Sequence, residues 1–416
     1  MKKGSYSPFK EYYRNDLKDL IKTISGKDKT ALLFKEKHLN KLSGKTHQYI
    51  ALVNLIGDVP DIQAILRKVR SNCTQNTRLI ITYYNYLWEP ILKLAEFICL
   101  KEKQHPLNWL TLDDIENLLY LTDFQAISRG QSLLLPLQIP ILSPLFNRFF
   151  AKLPLVNKLC LTNYIVARPI NFPQKPNYSV SVIIPARNEA GNIKPLIKRI
   201  PRFTKNQEII IVEGHSQDNT WEMIQKVKKQ YSYQNLQIFK KTTGIGKSYA
   251  VYHGIKKSRG DIIIILDSDI SVAPEDLPKF YQALLDNRGE FVNGTRLVYP
   301  LQSDSMRFLN IIANKLFSIV FSWTLNQRFT DTLCGTKAFY RKDFNRIMRL
   351  RKYFCDFDPF GDFNLIFGSI KLNLKVTEVP VRYYARTYGR SNIKRFTHGF
   401  MLLKMWLFAL KIFKFS

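Results

Sequence analysis

Four consecutive isoleucines, Ile262 to Ile265, and then Leu266 run straight into Asp267, Ser268 and Asp269. The apolar run reads as a buried strand, and two carboxylates at its tip are costly unless a cation meets them. In a regular strand the side chains at i and i+2 share a face, so Asp267 and Asp269 can converge on one hard divalent cation. A cation there would neutralise a diphosphate leaving group. For Asp269 the structural alternative is a cap or turn before Ala273-Pro274-Glu275-Asp276. Two further strand tips carry polar groups: Pro185, Ala186, Arg187, Asn188 and Glu189 follow one, and Glu213 to Thr220, with Asp218, follow the next. Three tips of this kind line one crevice in an open sheet, although Asn188 and Asp218 also suit helix capping. Lys247 opens a helix after Gly246, where its ammonium and the helix dipole suit a phosphate. The stretch is not a Walker loop, because Lys241 stands where a glycine is needed, nor a dinucleotide fingerprint, whose third glycine is replaced by Tyr249.

Strand and helix alternate around these residues. SVSVIIPA (179–186), EIIIVEG (208–214), LQIFKK and GDIIIILDSDI (260–270) read as strands; NIKPLIKRI, DNTWEMIQKVKKQ and GKSYAVYHGIKKS read as the helices between them. Such repetition predicts an α/β fold with an open, mostly parallel sheet and ligands at the carboxyl ends of its strands. Before the proline-spaced ARPINFPQKPN (167–177), a linker by composition, the pattern is also βαβ-like. QYIALVNLIG (48–57) and TRLIITYYN (77–85) are predicted strands, and DIQAILRKVR (61–70) is a predicted helix. TLDDIENLLYLTDF (111–124) is a helix capped by Thr111 with Asp114, and AISRGQSLLL and NYIVARP supply further strands.

Over residues 179–395 the sequence resembles family 2 glycosyltransferases with the GT-A fold, of the dolichol- or polyprenol-phosphate sugar synthase type. VIIPARNEAGN, IVEGHSQDNT, GIGKSYAVYHG, LDSD, FVNGTR, DTLCGTKAFYR and FDPFGDFNLIF follow one another in the family's order, and EVPVRYYARTYGRSNI closes the series. The resemblance implies an inverting transfer of a sugar from a nucleotide-sugar to a polyprenyl phosphate-like or hydroxyl acceptor. It assigns the donor to Pro185, Ala186, Asn188, Glu189, Glu213, Asp218, Lys247 and Asp267-Ser268-Asp269, with Mg2+ or Mn2+ on Asp267 and Asp269. The acceptor falls to Arg296, Asp331, Thr332, Gly335, Lys337, Arg386, Arg390 and Ser391. Asp362 is the candidate general base for a hydroxyl acceptor and orients a phosphate one. A helix cap before FNLIF is the alternative for Asp362, and a solvated basic loop the alternative for Arg386, Arg390 and Ser391. Three positions depart from the family pattern: Glu213-Gly214, Ser248 after the lysine, and Thr295.

In NLIGDVPDIQAIL and the terminal strand pair above all, about 120 of residues 1–170 resemble the carboxyl-terminal half of a class I methyltransferase. Residues 1–47 hold only Gly4, Gly26 and Gly44, none in a glycine-rich turn after a strand. The expectation is therefore a degenerate, truncated Rossmann-like domain (1–170), a GT-A domain (178–395) and a tail (396–416). In HGFMLLKMWLFALKIFKF, Lys404 and Lys411 lie about 20° apart on a helical wheel among apolar residues. That predicts an in-plane helix on an anionic membrane surface, with packing into the core as the alternative.

The chain has 63 Lys+Arg against 33 Asp+Glu, a net charge of +30, which calls for a polyanionic partner. No nucleic-acid recognition module is visible. Five scattered cysteines lack metal or disulfide spacing. No apolar run follows the charged amino terminus, so a cytoplasmic protein, peripheral on the inner face of a membrane, is expected. A non-catalytic nucleotide-sugar binder is the competing functional class, and it would not need Asp362 and the metal motif together.

Overall fold

The computed structural model describes residues 8–26, 28–42, 44–98, 108–172, 177–231, 235–240, 246–300, 308–350, 354, 361, 363–389 and 395–415. The chain divides into two compact units, Met1–Phe172 with Leu410–Ser416, and Pro173–Ala409. The division falls within the proline-spaced stretch.

The first unit contains α1 (Pro8–Ser25), β1 (Thr30–Leu33), β2 (Tyr49–Val53), α2 (Ile62–Arg70), β3 (Arg78–Tyr84), α3 (Glu89–Phe97), α4 (Leu112–Tyr120), β4 (Phe124–Ser132), α5 (Leu142–Arg148) and β5 (Thr162–Pro169). Its sheet has the order β1-β2-β3-β5-β4. β1, β2 and β3 are parallel, and β5 enters antiparallel to both β3 and β4. The strand expected over 48–57 stops at Val53, because Asn54 turns into the left-handed region (φ 54°) and Leu55–Gly57 forms a 3-10 turn. Thr111 and Asp114 form the expected reciprocal capping box.

The second unit follows as β6 (Val180–Ala186), α6 (Ala190–Arg199), β7 (Gln207–Glu213), α7 (Thr220–Gln230), β8 (Leu236–Lys240), α8 (Lys247–Lys257), β9 (Ile262–Ile265), α9 (Leu277–Leu285), β10 (Phe291–Thr295), α10 (Phe308–Leu325), β11 (Lys337–Tyr340), α11 (Arg341–Arg349), α12 (Phe363–Lys371), β12 (Val376–Pro380) and α13 (Arg395–Ala409). Its seven-stranded sheet runs β12-β10-β11-β9-β6-β7-β8, and only β11 is antiparallel to its neighbours. The central strands are buried along their whole length, as expected for a sheet covered on both faces: Val180 to Ala186 and Ile262 to Ile265 are all inaccessible or nearly so. Because β11 is reversed, its start at Lys337 lies on the same rim as the carboxyl ends of β6, β7, β9 and β10.

The tail is a helix, but not one lying free at an interface. Leu402, Met405 and Ala409 are buried, and the Trp406 Nε1 donates to Thr324 Oγ1 of α10 at 3.0 Å. Only the other face is exposed, with Phe400, Leu403 and Leu407 beside Lys404. The neighbouring α10 exposes Leu309, Ile312, Leu316 and Ile319 on one stripe. Among the described residues no helix is long and apolar enough to cross a membrane.

Candidate active site

The carboxyl rim of the second sheet gathers five ionisable side chains from four parts of the chain. β9 ends at Ile265, so Asp267 and Asp269 lie beyond the strand and strand alternation no longer governs where they point. Each meets its own cation. Lys247 Nζ, at the start of α8, lies 2.5 Å from Asp267 Oδ1. Arg386, past β12, places NH2 2.6 Å from Asp269 Oδ2 and NH1 3.8 Å from Glu189 Oε1. The other Asp269 oxygen accepts from the Ser271 amide at 3.0 Å and the Ser271 hydroxyl at 2.7 Å.

Burial alone would raise the Asp267 pKa, but the Lys247 ammonium, helped by Lys337 and Arg386, outweighs it and holds the carboxylate below its ordinary range. Glu189 goes the other way. Burial raises its pKa to about 7, and the negative charges of Asp269 and Asp267 add to that against the bond from Asn192 and the charge of Arg386. Lys247 was expected as a phosphate contact; here it also serves as the counter-ion of Asp267.

Gly335 fits into this arrangement by having no side chain. A methyl there would lie 2.0 Å from Asp267 Oδ2 and 2.5 Å from Lys247 Nζ. Gly361 similarly packs onto the start of α8, where an added methyl would lie 2.7 Å from the Ser248 Cα. Gly361 therefore reaches the lysine-bearing helix.

The remaining donor residues build the crevice by holding its loops. The Ala186 carbonyl accepts from the Gly214 amide at 2.8 Å, and the Pro185 carbonyl accepts from the Ser268 hydroxyl at 2.9 Å. Asn188 is the cross-tie between the first two tips: its amide donates to Ser216 Oγ at 3.0 Å and its Oδ1 accepts from the Gln217 amide at 2.7 Å. Asp218 accepts from the amides of Ala190 and Thr220 at the starts of α6 and α7 and from the Tyr388 hydroxyl. Its capping alternative is thus realised. Glu213 is buried and accepts from the Ser216 amide.

Of the residues expected on the acceptor side, Gly335 and Arg386 lie at the rim just described, whereas Arg296 and Asp331 form a buried pair. Asp331 is completely buried, with Arg296 Nε at 2.6 Å from Oδ2, Arg296 NH2 at 3.0 Å from Oδ1 and Asn314 Nδ2 at 2.9 Å from Oδ1. Burial opposes its ionisation, but the Arg296 guanidinium lowers its pKa to about 2. Thr332 and Lys337 are also inaccessible, and Lys337 Nζ donates to the Cys334 carbonyl. Asp331, Thr332 and Lys337 therefore form the wall behind the crevice and offer an acceptor no exposed group. Asp362, Arg390 and Ser391 lie outside the described residues.

Sequence reasoning overlooked three members of the site. Asn192 Nδ2 donates to Glu189 Oε2 at 2.5 Å, a pair signalled by the i, i+3 spacing at the start of α6. The Tyr388 ring lies over Gly191, where a methyl would come within 2.4 Å of it. Glu378 in β12 accepts from the Thr330 amide at 2.9 Å and from its hydroxyl at 2.8 Å, orienting the segment before Asp331. A carboxylate within the apolar strand VTEVP was its signal, by the reasoning applied to the isoleucine strand.

Residues 181–353 match Glycosyl transferase family 2. The matched segment is less than half of the chain and contains every strand of the crevice except β6's first residue and β12. The dolichol-phosphate mannosyltransferase of Pyrococcus furiosus is 30% identical over 220 residues, 52% of this chain and 59% of that protein. The undecaprenyl-phosphate 4-deoxy-4-formamido-L-arabinose transferase of Salmonella choleraesuis is 26% identical over 224 residues, 53% of this chain and 64% of that protein. The chain thus spans less than two thirds of the length of either relative. Among solved structures, glucosyl-3-phosphoglycerate synthase from Mycobacterium tuberculosis, in complex with Mn2+, uridine-diphosphate and glucosyl-3-phosphoglycerate, has a TM-score of 0.42 at 18% identity, covering 57% of this chain and 81% of that one. The second unit is an α/β fold with a mostly parallel sheet.

Proposed function

We propose that the second unit transfers a sugar, with inversion, from a nucleotide-sugar to a polyprenyl phosphate-like acceptor at a membrane surface, a hydroxyl acceptor being the other option. The observation that carries this reading is the Lys247–Asp267 and Asp269–Arg386 cluster at the carboxyl rim of a mostly parallel sheet. Two carboxylates and two cations on one rim match the charges of a diphosphate and its counter-ion. The relatives named above carry polyprenol-phosphate in their own names, which supports the acceptor class.

The donor set fits Mg2+ or Mn2+, since Asp267 and Asp269 offer hard carboxylate oxygens. No cluster of three His, Cys, Asp or Glu groups exists among the described residues, so the diphosphate itself would complete the coordination. When bound, the ion neutralises charge on the departing nucleoside diphosphate. Lys247 and Arg386, displaced from their carboxylates, hold phosphate oxygens of donor and acceptor. Asn188 and Asp218 fix the loops against which the nucleotide lies, and Glu213 is the candidate for its ribose. Asp362 is assigned to the acceptor nucleophile on the motif alone. A polyprenyl phosphate is already anionic, and Asp362 then orients it.

The apolar stripes of α10 and α13, with Lys315 and Lys404, support a membrane-facing side of this unit. For the first unit, the antiparallel insertion of β5 between β3 and β4 supports a methyltransferase-like ancestry.

The deciding experiment measures sugar transfer from a panel of nucleotide-sugars to polyprenyl phosphate, with and without Mg2+ or Mn2+, in the wild type and in Asp269→Ala. Metal-dependent transfer that Asp269→Ala abolishes is expected. Absence of transfer from every donor overturns the reaction, and equal rates in the two proteins overturn the metal assignment.

A further inference from the structure

The first unit exposes apolar surface where loops normally expose polar groups. Leu137, Ile141, Leu142, Leu145, Leu155 and Leu159, all within the segment between β4 and β5, are 42–83% exposed. Clusters of this kind on a soluble surface mark an interaction site.

The backbone makes the exposure deliberate. Ile141 (φ 66°, ψ −49°) and Leu155 (φ 70°, ψ −50°) both follow a proline, both precede a short helix, and both lie at positive φ. Such a φ is strained for a bulky or β-branched side chain. Yet these two are among the most exposed apolar residues of the unit, at 83% and 74%. Strain and exposure are thus spent together on presenting two aliphatic side chains outward.

The polar groups of the same segment point inward. Asn147 accepts from the Leu135 amide at 2.8 Å and donates to its carbonyl at 2.9 Å and to the Tyr12 hydroxyl at 3.0 Å. Ser143 accepts from the Ile139 amide at 2.9 Å, and Asn157 donates to Gln131 at 3.1 Å. α3 adjoins the segment, since Trp88 Nε1 donates to the Leu159 carbonyl at 2.8 Å. It adds Ile91, Leu94 and Phe97, the last 84% exposed.

Charge selects the occupant. Between Asp123 and Glu189 the sequence contains no carboxylate at all, while Arg148 and Lys158 are exposed within the apolar segment. Aliphatic tips flanked by cations fit the boundary between acyl chains and anionic headgroups.

We infer that the β4–β5 segment of the first unit, with α3, is a membrane-insertion surface that places Ile141 and Leu155 into the headgroup–acyl boundary of an anionic bilayer. The inference deepens the membrane location proposed above and does not depend on sugar transfer. It gives a unit without a cofactor turn a role in holding the chain at the lipid.

The test uses the full chain and flotation with vesicles of phosphatidylcholine, with and without phosphatidylglycerol. The wild type is expected to float with the anionic vesicles, and Ile141→Asp combined with Leu155→Asp to lower the floated fraction about tenfold or more. The melting temperature of this variant should equal or exceed that of the wild type, because Asp tolerates positive φ better than Ile. A purely structural role predicts a lower one. The indole introduced by Leu155→Trp should be quenched by brominated lipid beyond the wild-type level. Nucleotide-sugar turnover without vesicles is expected to be unchanged in both variants, which separates this inference from the catalytic one. Undiminished flotation of the double variant, or no added quenching, overturns the inference. Self-association that the double variant abolishes while flotation persists overturns it too, in favour of a protein partner.

Discussion

Gly335→Ala tests whether the Lys247–Asp267 pair is the functional centre. The added methyl would stand 2.0 Å from Asp267 Oδ2 and 2.5 Å from Lys247 Nζ, whereas ordinary contact begins near 3.4 Å. The carboxylate oxygen must therefore retreat by more than about 1 Å, a displacement that costs a positioned reaction roughly 100-fold, or about 2.7 kcal/mol of transition-state stabilisation. The atoms that must move are the ends of two side chains, so the fold yields easily and thermal stability should change by less than about 1 kcal/mol. Gly294 provides the control, because a methyl there meets Cys334 Sγ at 2.6 Å and the Thr336 carbonyl at 3.1 Å, away from both charged groups. The assay is kcat/KM for sugar transfer at saturating divalent ion, paired with a thermal melt of each protein. A Gly335→Ala protein with normal melting and activity within about twofold of wild type would refute the argument that this carboxylate must sit where it does.

Asp331→Asn should destabilise the second unit by about 3–5 kcal/mol, since it leaves the Arg296 guanidinium buried without its bidentate partner; denaturant unfolding reads this, and a loss below about 1 kcal/mol would contradict a wall-building role. Glu189, with a folded pKa near 7 against an ordinary 4.5, binds more protons folded than unfolded across that window. Stability should consequently fall as pH rises from about 4.5 to 7, by up to about 3 kcal/mol. In chelator-treated protein Glu189→Gln should flatten that slope, and an unchanged slope would place the titration elsewhere.

Legibility in the sequence followed the range of the interaction. The Thr111–Asp114 capping box was readable because both partners lie within one turn, and the isoleucine strand because four β-branched residues in a row have few other uses. The crevice was readable for the same local reason: a polar group at the tip of an apolar strand needs a partner. Which partner was not readable. Arg386 and Asp269 meet across most of the second unit, and Arg296 and Asp331 only because β11 reverses direction beside β10. The DTLCGTK stretch is expected to touch an acceptor; in the fold Asp331 and Lys337 are inaccessible, while Gly335 lies against Asp267 and Lys247. The apolar segment 137–159 was missed because its turns are set by Pro140 and Pro154, and they give neither helical nor strand periodicity to detect.

The pairing at the rim has a consequence for how a donor would enter. Each acidic side chain that the metal would need already has a cation, and each cation that the phosphates would need already has a carboxylate. Neither pair lies in bulk water, so breaking one alone leaves a half-buried charge unsatisfied. A metal arriving alone must displace an ammonium that then has no anion, and a diphosphate arriving alone must displace a carboxylate that then has no cation. Arriving together they exchange partners, and every charge remains matched. Under the proposed function Lys247 and Arg386 would do more than attract phosphate: by occupying Asp267 and Asp269 beforehand they would favour the metal–diphosphate pair over either component. The same proposed exchange would account for Gly335 at this position, since two charged side chains that must separate and re-pair need the space that a single methyl group would fill.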